Sequence, residues 1–237
     1  EKIGLKIAQA IKKLPIKPGQ LKINIANPRA FRLNRRFVDQ DLNRSFPGKK
    51  NGNHEQRRAY QLLPLIKAAD LVIDIHSTTS ELRDTLIITR LNKKTREYIN
   101  IISPKYALWM TATRKLALIA HAKVGLAFEY GKDKDPLVAQ KIIRDLKKLF
   151  VHLNLLTIST KPSPQNKTVL FKVYQTVPKP VGAKLSKAIR NYQLIKKGQN
   201  YATANNNPLR ATQAFYPVLF GPNNYPDIFG FAAKKIK

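Results

Sequence analysis

The chain has 237 residues, no cysteine, 44 Lys+Arg against 14 Asp+Glu (formal net charge +30) and 43% apolar residues, which suits one compact domain or a main domain with a small appendage. Without cysteine there is no disulfide framework and no thiolate zinc cluster, so any metal must rest on His, Asp or Glu. No uncharged apolar run reaches the roughly 18 to 20 residues that cross a bilayer, and no signal-peptide order opens the chain, which argues against a membrane partner and makes the cytoplasm the expected compartment.

In chain order, Ile7, Ala10, Ile11 and Leu14 recur at helical spacing from Gly4 until Pro15 and Pro18-Gly19 stop the pattern. Leu21 to Ala26 alternates apolar and polar residues as a half-buried strand does, and Asn27-Pro28 breaks it. Arg35 to Asn53 has no period and carries Pro-Gly and Asn-Gly, which predicts a long loop, a feature commonly tied to function in compact domains. A helix is expected over Glu55–Ala69, buried strands over Leu71–Ile75 and Thr85–Thr89, and a helix over Lys93–Ile102. A further buried strand follows over Val124–Phe128, then a long amphipathic helix over Pro136–Leu153. Short apolar strands alternating with helices predict an α/β fold: a mainly parallel or mixed sheet with helices on both faces and sites at the carboxyl ends of its strands.

Beyond about Leu156 the composition shifts, with Asp227 the single acid among many lysines and β-like pieces at Val169–Val177, Tyr192–Ile195 and Ala211–Leu219. Ser159 to Lys167, with Pro162 and Pro164, is the expected linker. The expected organisation is a catalytic domain over residues 1–158 and a small β-rich C-terminal domain over residues 159–237.

The excess of positive charge points first to nucleic acid. Yet the lysines are scattered singly and in pairs, with no run of five or six, so a nucleic-acid partner is not favoured. With so few acids, Glu1, Asp39, Asp41, Asp74 and Glu129 carry the information. Asp74 and His76 share one face of a strand that runs straight into Ser77-Thr78-Thr79-Ser80. That arrangement suits either a metal-binding imidazole oriented by a carboxylate or a hydrogen-bonded structural histidine. In the preceding loop Arg36, Asn43 and Arg44 form a carboxylate-binding set, because guanidinium forks match carboxylates in two-point fashion. Some of these arginines can instead staple the loop to Asp39 and Asp41.

Five stretches, taken in order, carry a family resemblance: Asn27-Pro28-Arg29-Ala30, Arg36, Asp41-Leu42-Asn43-Arg44, Asp74-Ile75-His76-Ser77-Thr78 and Glu129-Tyr130-Gly131. Together they resemble the succinylglutamate desuccinylase and aspartoacylase family, a branch of the zinc carboxypeptidase-like hydrolases. Glu1-Lys2-Ile3-Gly4 looks like the last residue of that family's His-Gly-Asn-Glu motif and the helix behind it, so the first zinc-ligand histidine is expected upstream of residue 1. The resemblance implies one zinc ion per chain, held by Glu1, His76 and that histidine, with Glu129 as general base and Arg36 stabilising the oxyanion. It implies that Asn43 and Arg44 grip the α-carboxylate of a small anionic N-acyl amino acid, that Arg114 reaches the acyl part, and that Tyr225 points in from the C-terminal segment. An anion at both ends of the substrate is expected if Arg114 does face the acyl group. Weighed against this amidohydrolase are a carboxypeptidase-like hydrolase of small peptides and an inactive, basic, nucleic-acid-binding relative. Acyl group, amino acid and oligomeric state are left open.

Overall fold

The computed structural model describes residues 3–77, 82–111, 116–133, 135–157 and 167–236. Helix α1 (Ile3–Lys12) buries Ile7 and Ile11 together with Ile3, positions four apart that stack on one helical face. After α2 (Pro28–Arg32), which Asn27 caps by accepting from the Ala30 N–H, the loop makes a single 3-10 turn at Leu42–Arg44. Helix α3 (His54–Ala68) starts with a reciprocal capping box between Asn53 and Gln56.

Strand β1 (Val72–His76), β2 (Thr85–Ile88), α4 (Lys93–Ile102), β3 (Tyr106–Met110), β4 (Gly125–Glu129) and α5 (Pro136–His152) then alternate. The remaining strands are β5 (Val169–Pro178), β6 (Lys184–Leu185), β7 (Asn200–Ala204), β8 (Asn207–Arg210), β9 (Tyr216–Val218) and β10 (Ile228–Ile236).

Seven strands form one mixed sheet in the order β1-β4-β2-β3-β5-β10-β9, and β6-β7-β8 form a second, smaller one. Strands β1 and β4, β2 and β3, and β3 and β5 pair in parallel, whereas β4–β2, β5–β10 and β10–β9 are antiparallel. Period-2 alternation assigns each strand's residues to two cores. Leu86, Ile88, Ala107, Leu126 and Phe128 pack under α1, α4 and α5. Ile87, Leu108, Met110, Ala127, Phe171 and Phe231 face α3 through Ala59, Leu62 and Ile66. The mixed sheet with helices on both faces is as the strand and helix alternation predicts. Strands β5, β10 and β9 continue the sheet that begins with β1, so C-terminal residues share a core with Leu108 and Met110.

Three local expectations are corrected. Leu21–Ala26 forms no strand and joins no ladder, and Ile25 is 46% exposed. Its carbonyl and that of Ala26 instead accept from the Arg58 guanidinium of α3 (3.2 and 2.6 Å). Tyr192–Ile195 makes only an isolated bridge, Ile195 to Phe215, and Ala211–Leu219 shortens to β9. Of the expected linker only Lys167 is among the described residues.

A backbone contact ties the sheet to the site. A side chain at Gly125, the first residue of β4, would meet the Ile119 carbonyl oxygen at 2.4 Å and its Cα at 2.9 Å, in the 3-10 turn Leu118–His121. Neither atom can yield without moving that turn. Gly125→Ala should therefore lower the unfolding free energy by about 1–3 kcal/mol, as overpacking does, read as an earlier midpoint in urea at unchanged slope. An unchanged midpoint would show that the turn shifts freely.

Candidate active site

The carboxyl ends of β1 and β4 lie side by side, with His76 opposite Glu129 and Asp74 opposite Ala127 in the parallel register. Side chains two apart share a face, so Asp74, His76 and Glu129 emerge together at the mouth of a cleft of about 140 Å³. Arg36, Asp41, Asn43, Arg44 and Tyr225 also line it. Of the expected site residues, Glu129, Arg36, Asn43, Arg44, Tyr225 and His76 are thus brought together. Glu1 and Arg114 lie outside the described residues.

His76 Nε2 sits 2.8 Å from Asp74 Oδ2 and 3.1 Å from Asn43 Nδ2. The Leu118 backbone N–H donates to Asn43 Oδ1 (2.9 Å). A backbone N–H can only donate, which fixes the orientation of the amide and turns its NH2 toward His76 and Asp74. With a proton on Nε2 the ring donates to Asp74; without one, Nε2 accepts from Asn43. Burial pushes the Asp74 carboxyl up, but His76, the Asn43 amide and the Ile75 N–H outweigh it and hold the group below its usual range.

Arg36 forms a two-nitrogen contact to Asp41 Oδ2, 2.9 Å from Nη2 and 3.2 Å from Nε. The loop-staple alternative thus holds for Arg36, though the arginine side chain is 66% exposed, so water weakens the pair. Asp41 Oδ1 also accepts from the Asn43 N–H (2.8 Å) and starts the 3-10 turn. Arg44 donates to the Asn43 carbonyl (3.2 Å) and is otherwise exposed. Burial, offset in part by Arg44, raises the Tyr225 hydroxyl to about 12, so at neutral pH it stays a donor.

Glu55, which the motif reading passes over, organises the loop. Fully buried in the first turn of α3, its carboxylate accepts from Val38 N–H (2.6 Å), Asp39 N–H (3.0 Å), Gln40 N–H (3.2 Å) and the Asn27 amide (2.8 Å). Asp39 in turn accepts from the His54 N–H (2.8 Å). The sequence signal was an acid in the first turn of a predicted helix, directly after a loop rich in polar backbone.

A carboxylate on one ring nitrogen is the outer partner that metal-bound imidazoles carry, so the Asp74–His76 pair fits a metal ligand in type. Among the described residues, however, no three His, Asp or Glu side chains gather closely enough to hold a metal.

A family model described as the succinylglutamate desuccinylase/aspartoacylase catalytic domain matches residues 6–150, more than half of the chain. A probable aspartoacylase of Acaryochloris marina (strain MBIC 11017) is 26% identical over 146 residues, covering 55% of this chain and 49% of that protein. Another, of Nostoc sp. (strain PCC 7120 / SAG 25.82 / UTEX 2576), is 26% identical over 175 residues, covering 66% and 60%. The chain spans about half of the first and three-fifths of the second. Among solved structures, murine aminoacylase 3 superposes with a TM-score of 0.76 at 17% identity, covering 100% of this chain and 91% of its own. Succinylglutamate desuccinylase from Vibrio parahaemolyticus gives 0.74 at 14%, covering 100% and 79%. At such identities the likeness speaks for the fold. No helix among the described residues is long and apolar enough to cross a membrane.

The Glu55 network makes a pH-dependent prediction. Burial raises this carboxyl, yet the N–H groups of Val38 and Asp39, the Asn27 amide and the Gln40 N–H together bring it from 4.5 to about 2. The unfolded chain therefore binds the proton first as pH falls. The stabilisation is complete above about pH 5 and is lost between about pH 4.5 and 2, and a shift of this size corresponds to about 3 kcal/mol. Glu55→Gln turns an NH2 toward backbone donors, so it should lower stability at pH 7 by about 2–3 kcal/mol. In urea titrations the gap from wild type should narrow as pH drops from 5 toward 3; a constant gap would deny the carboxylate its role.

Proposed function

The chain belongs to the succinylglutamate desuccinylase/aspartoacylase family, and from that membership and the cleft we propose that it hydrolyses the amide bond of a small N-acyl amino acid with the help of zinc. The observation that carries the reading is the pairing of His76 with Glu129 at adjacent strand ends, in a cleft rimmed by Arg36 and Arg44. A general base beside a metal-ligating imidazole, with cations for an anionic substrate, is the equipment of a metal-assisted hydrolase.

His76 and Glu1 would hold the zinc, together with a further ligand that the described residues do not supply. When bound, zinc supplies a Lewis acid that makes water nucleophilic near neutral pH. Asn43, bonded to Leu118 on one side and to the Asp74–His76 pair on the other, keeps the imidazole in one orientation. Its amide is committed to that task in this arrangement, which leaves Arg44 and the protonated Tyr225 as the groups best placed to take the substrate carboxylate.

Glu129 accepts a proton from the attacking water and returns it to the departing amine. The carbonyl carbon first gains the water oxygen and its own oxygen becomes an oxyanion; as the oxyanion collapses the C–N bond breaks to the protonated nitrogen, so a carboxylic acid and a free amino acid leave. Arg36, loosely paired to Asp41, presents positive charge where the oxyanion develops. A cleft of about 140 Å³ is well below the roughly 300–1,000 Å³ of drug-sized sites, which favours a small substrate over a polypeptide.

Glu129→Gln should retain zinc and substrate affinity while lowering kcat at least 100-fold, within the usual range of general-base contributions. A change confined to KM would move Glu129 from chemistry to binding. His76→Ala should lose zinc in equilibrium dialysis while the circular dichroism of the sheet persists. Unchanged metal content would refute the ligand assignment, and cleavage of short peptides in preference to every N-acyl amino acid would refute the substrate class.

A further inference from the structure

Tyr225 stands on an irregular connection, residues 219–227, between β9 and β10. Its ring lines the cleft and packs edge-on against Phe231, with centroids 5.7 Å apart, while Pro222, Asn223, Pro226 and Asp227 around it are exposed. The stretch has no helix or ladder of its own to satisfy its backbone groups. What holds the tyrosine in the wall of the cleft must therefore come from elsewhere in the fold.

The two halves of the connection are held in different ways. The first is locked to its surroundings by backbone. Asn191 donates to the Phe220 carbonyl (3.0 Å) and accepts from the Phe220 N–H (2.8 Å), and the Gly221 N–H donates to the Phe229 carbonyl (2.8 Å). A side chain at Gly230 would meet the Leu219 carbonyl oxygen at 2.6 Å and the Phe220 Cα at 2.7 Å, so β10 presses directly on that half. In the second half, which carries Tyr225, two carbonyls converge on one side chain. Lys179 Nζ donates to the Tyr225 carbonyl (2.6 Å) and to the Pro222 carbonyl (3.1 Å).

The ladder puts that lysine in place. Pro178, the last residue of β5, pairs with Ile228, the first of β10. The Lys179 N–H then adds one more bond, to the Asp227 carbonyl (2.9 Å). Its backbone is thus fixed at the exit of the connection, and the long side chain reaches back to the two carbonyls. An ammonium suits the task, because it offers three donors to groups that can only accept, and its charge strengthens each bond. Carbonyls three residues apart meet at one nitrogen only if the chain between them bends, as residues 222–224 do.

We propose that Lys179 is a positioning residue for substrate binding: by clamping the Pro222 and Tyr225 carbonyls it keeps the Tyr225 ring in the wall of the cleft, and so sets the affinity for the substrate carboxylate from outside the site. Lys179 itself does not line the cleft. The inference rests on the reading above, in which Tyr225 meets that carboxylate, and adds a residue to it. Without the clamp the connection also populates arrangements with the ring withdrawn, and apparent affinity falls with the fraction of molecules that have it in place. Once substrate is bound the ring is in place in either case, so the chemical step at the strand ends is unaffected.

Lys179→Met keeps the side-chain length and removes the donor. On the full chain with zinc, using the best-cleaved member of a panel of N-acetyl amino acids, it should raise KM about tenfold and leave kcat within about twofold. In the Tyr225→Phe background the same change should alter KM by less than about twofold, because the hydroxyl that the clamp positions is gone. Losses that multiply, an unchanged KM, or a fall confined to kcat would each overturn the clamp. A second readout needs no turnover. With fluorotyrosine at position 225, the fluorine resonance of the otherwise unchanged chain should lie away from its unfolded position and move toward it in Lys179→Met, while circular dichroism stays the same; an unmoved resonance overturns the clamp. Cleavage of no N-acetyl amino acid by the unsubstituted chain defeats the hydrolase reading instead, and the fluorine spectrum then decides by itself whether Lys179 holds Tyr225.

Discussion

The site depends on a buried carboxylate that has no cation as partner among the described residues. Glu55 is neutralised by dipoles: three successive backbone N–H groups, one side-chain amide and the amino end of its own helix. Three consecutive donors can point at one carboxylate only if the backbone from Val38 to Gln40 curls around it. That curl sets where the neighbouring residues emerge, so Arg36, Asp41 and Asn43 inherit their positions from Glu55. An arginine in its place could not serve, because the loop offers donors and needs an acceptor. The same carboxylate draws Asn27 in and so joins the start of α2 to the start of α3, two elements that share no long apolar interface. A loop of this length, with few apolar anchors, has little else to offset the entropy of ordering it.

Strand periodicity accounts for the rest of the site. Parallel pairing of β1 with β4 brings two carboxyl ends to the same level, and alternation then decides which side chains meet. A one-residue slip of β4 would turn Glu129 toward the helices α1 and α5 and bring apolar Phe128 to His76. What prevents the slip is the contrast between the two faces. Leu126 and Phe128 are completely buried against the helical layer, and Ala127 is small enough to leave the cleft open. Gly125 adds a second lock, since its close approach to Ile119 fixes β4 against the turn whose Leu118 N–H orients Asn43. Packing on one face of the sheet thereby sets the geometry of the polar site on the other.

Much of this was legible in the chain because it follows from short-range rules. The strand ending at His76, the helices at Lys93–Ile102 and from Pro136, and the strand ending at Glu129 carry apolar periodicity with clear breakers, and the polar loop upstream of them had no competing pattern. Leu21–Ala26 misled because alternation reports which side chains could be buried, and pairing needs a neighbour; there Arg58 takes the free carbonyls instead. Tyr106–Met110 and Ile228–Ile236 escaped because each is a continuous apolar run or contains Gly230, and such strands are specified by neighbours distant in the chain. Glu55 escaped for a different reason. Nothing local distinguishes a first-turn glutamate that stabilises its helix from one that gathers a loop 15 to 17 residues upstream.

The basic character of the chain and the character of the cleft act at different distances. Among the described residues of the cleft, Arg36 and Arg44 stand against Asp41, Asp74 and Glu129, so these residues do not share the +30 excess of the whole chain. The scattered lysines produce a field that draws anions from beyond the surface, and salt screens it over roughly 10 Å. Close contact depends instead on the geometry of a few groups: Arg36, held by Asp41; Arg44, resting on the Asn43 carbonyl; and Tyr225, kept protonated by burial. Long-range attraction of anions and close contact thus make different demands on charge: the field comes from lysines scattered over the chain, whereas the described residues at the strand ends carry both signs within one cleft.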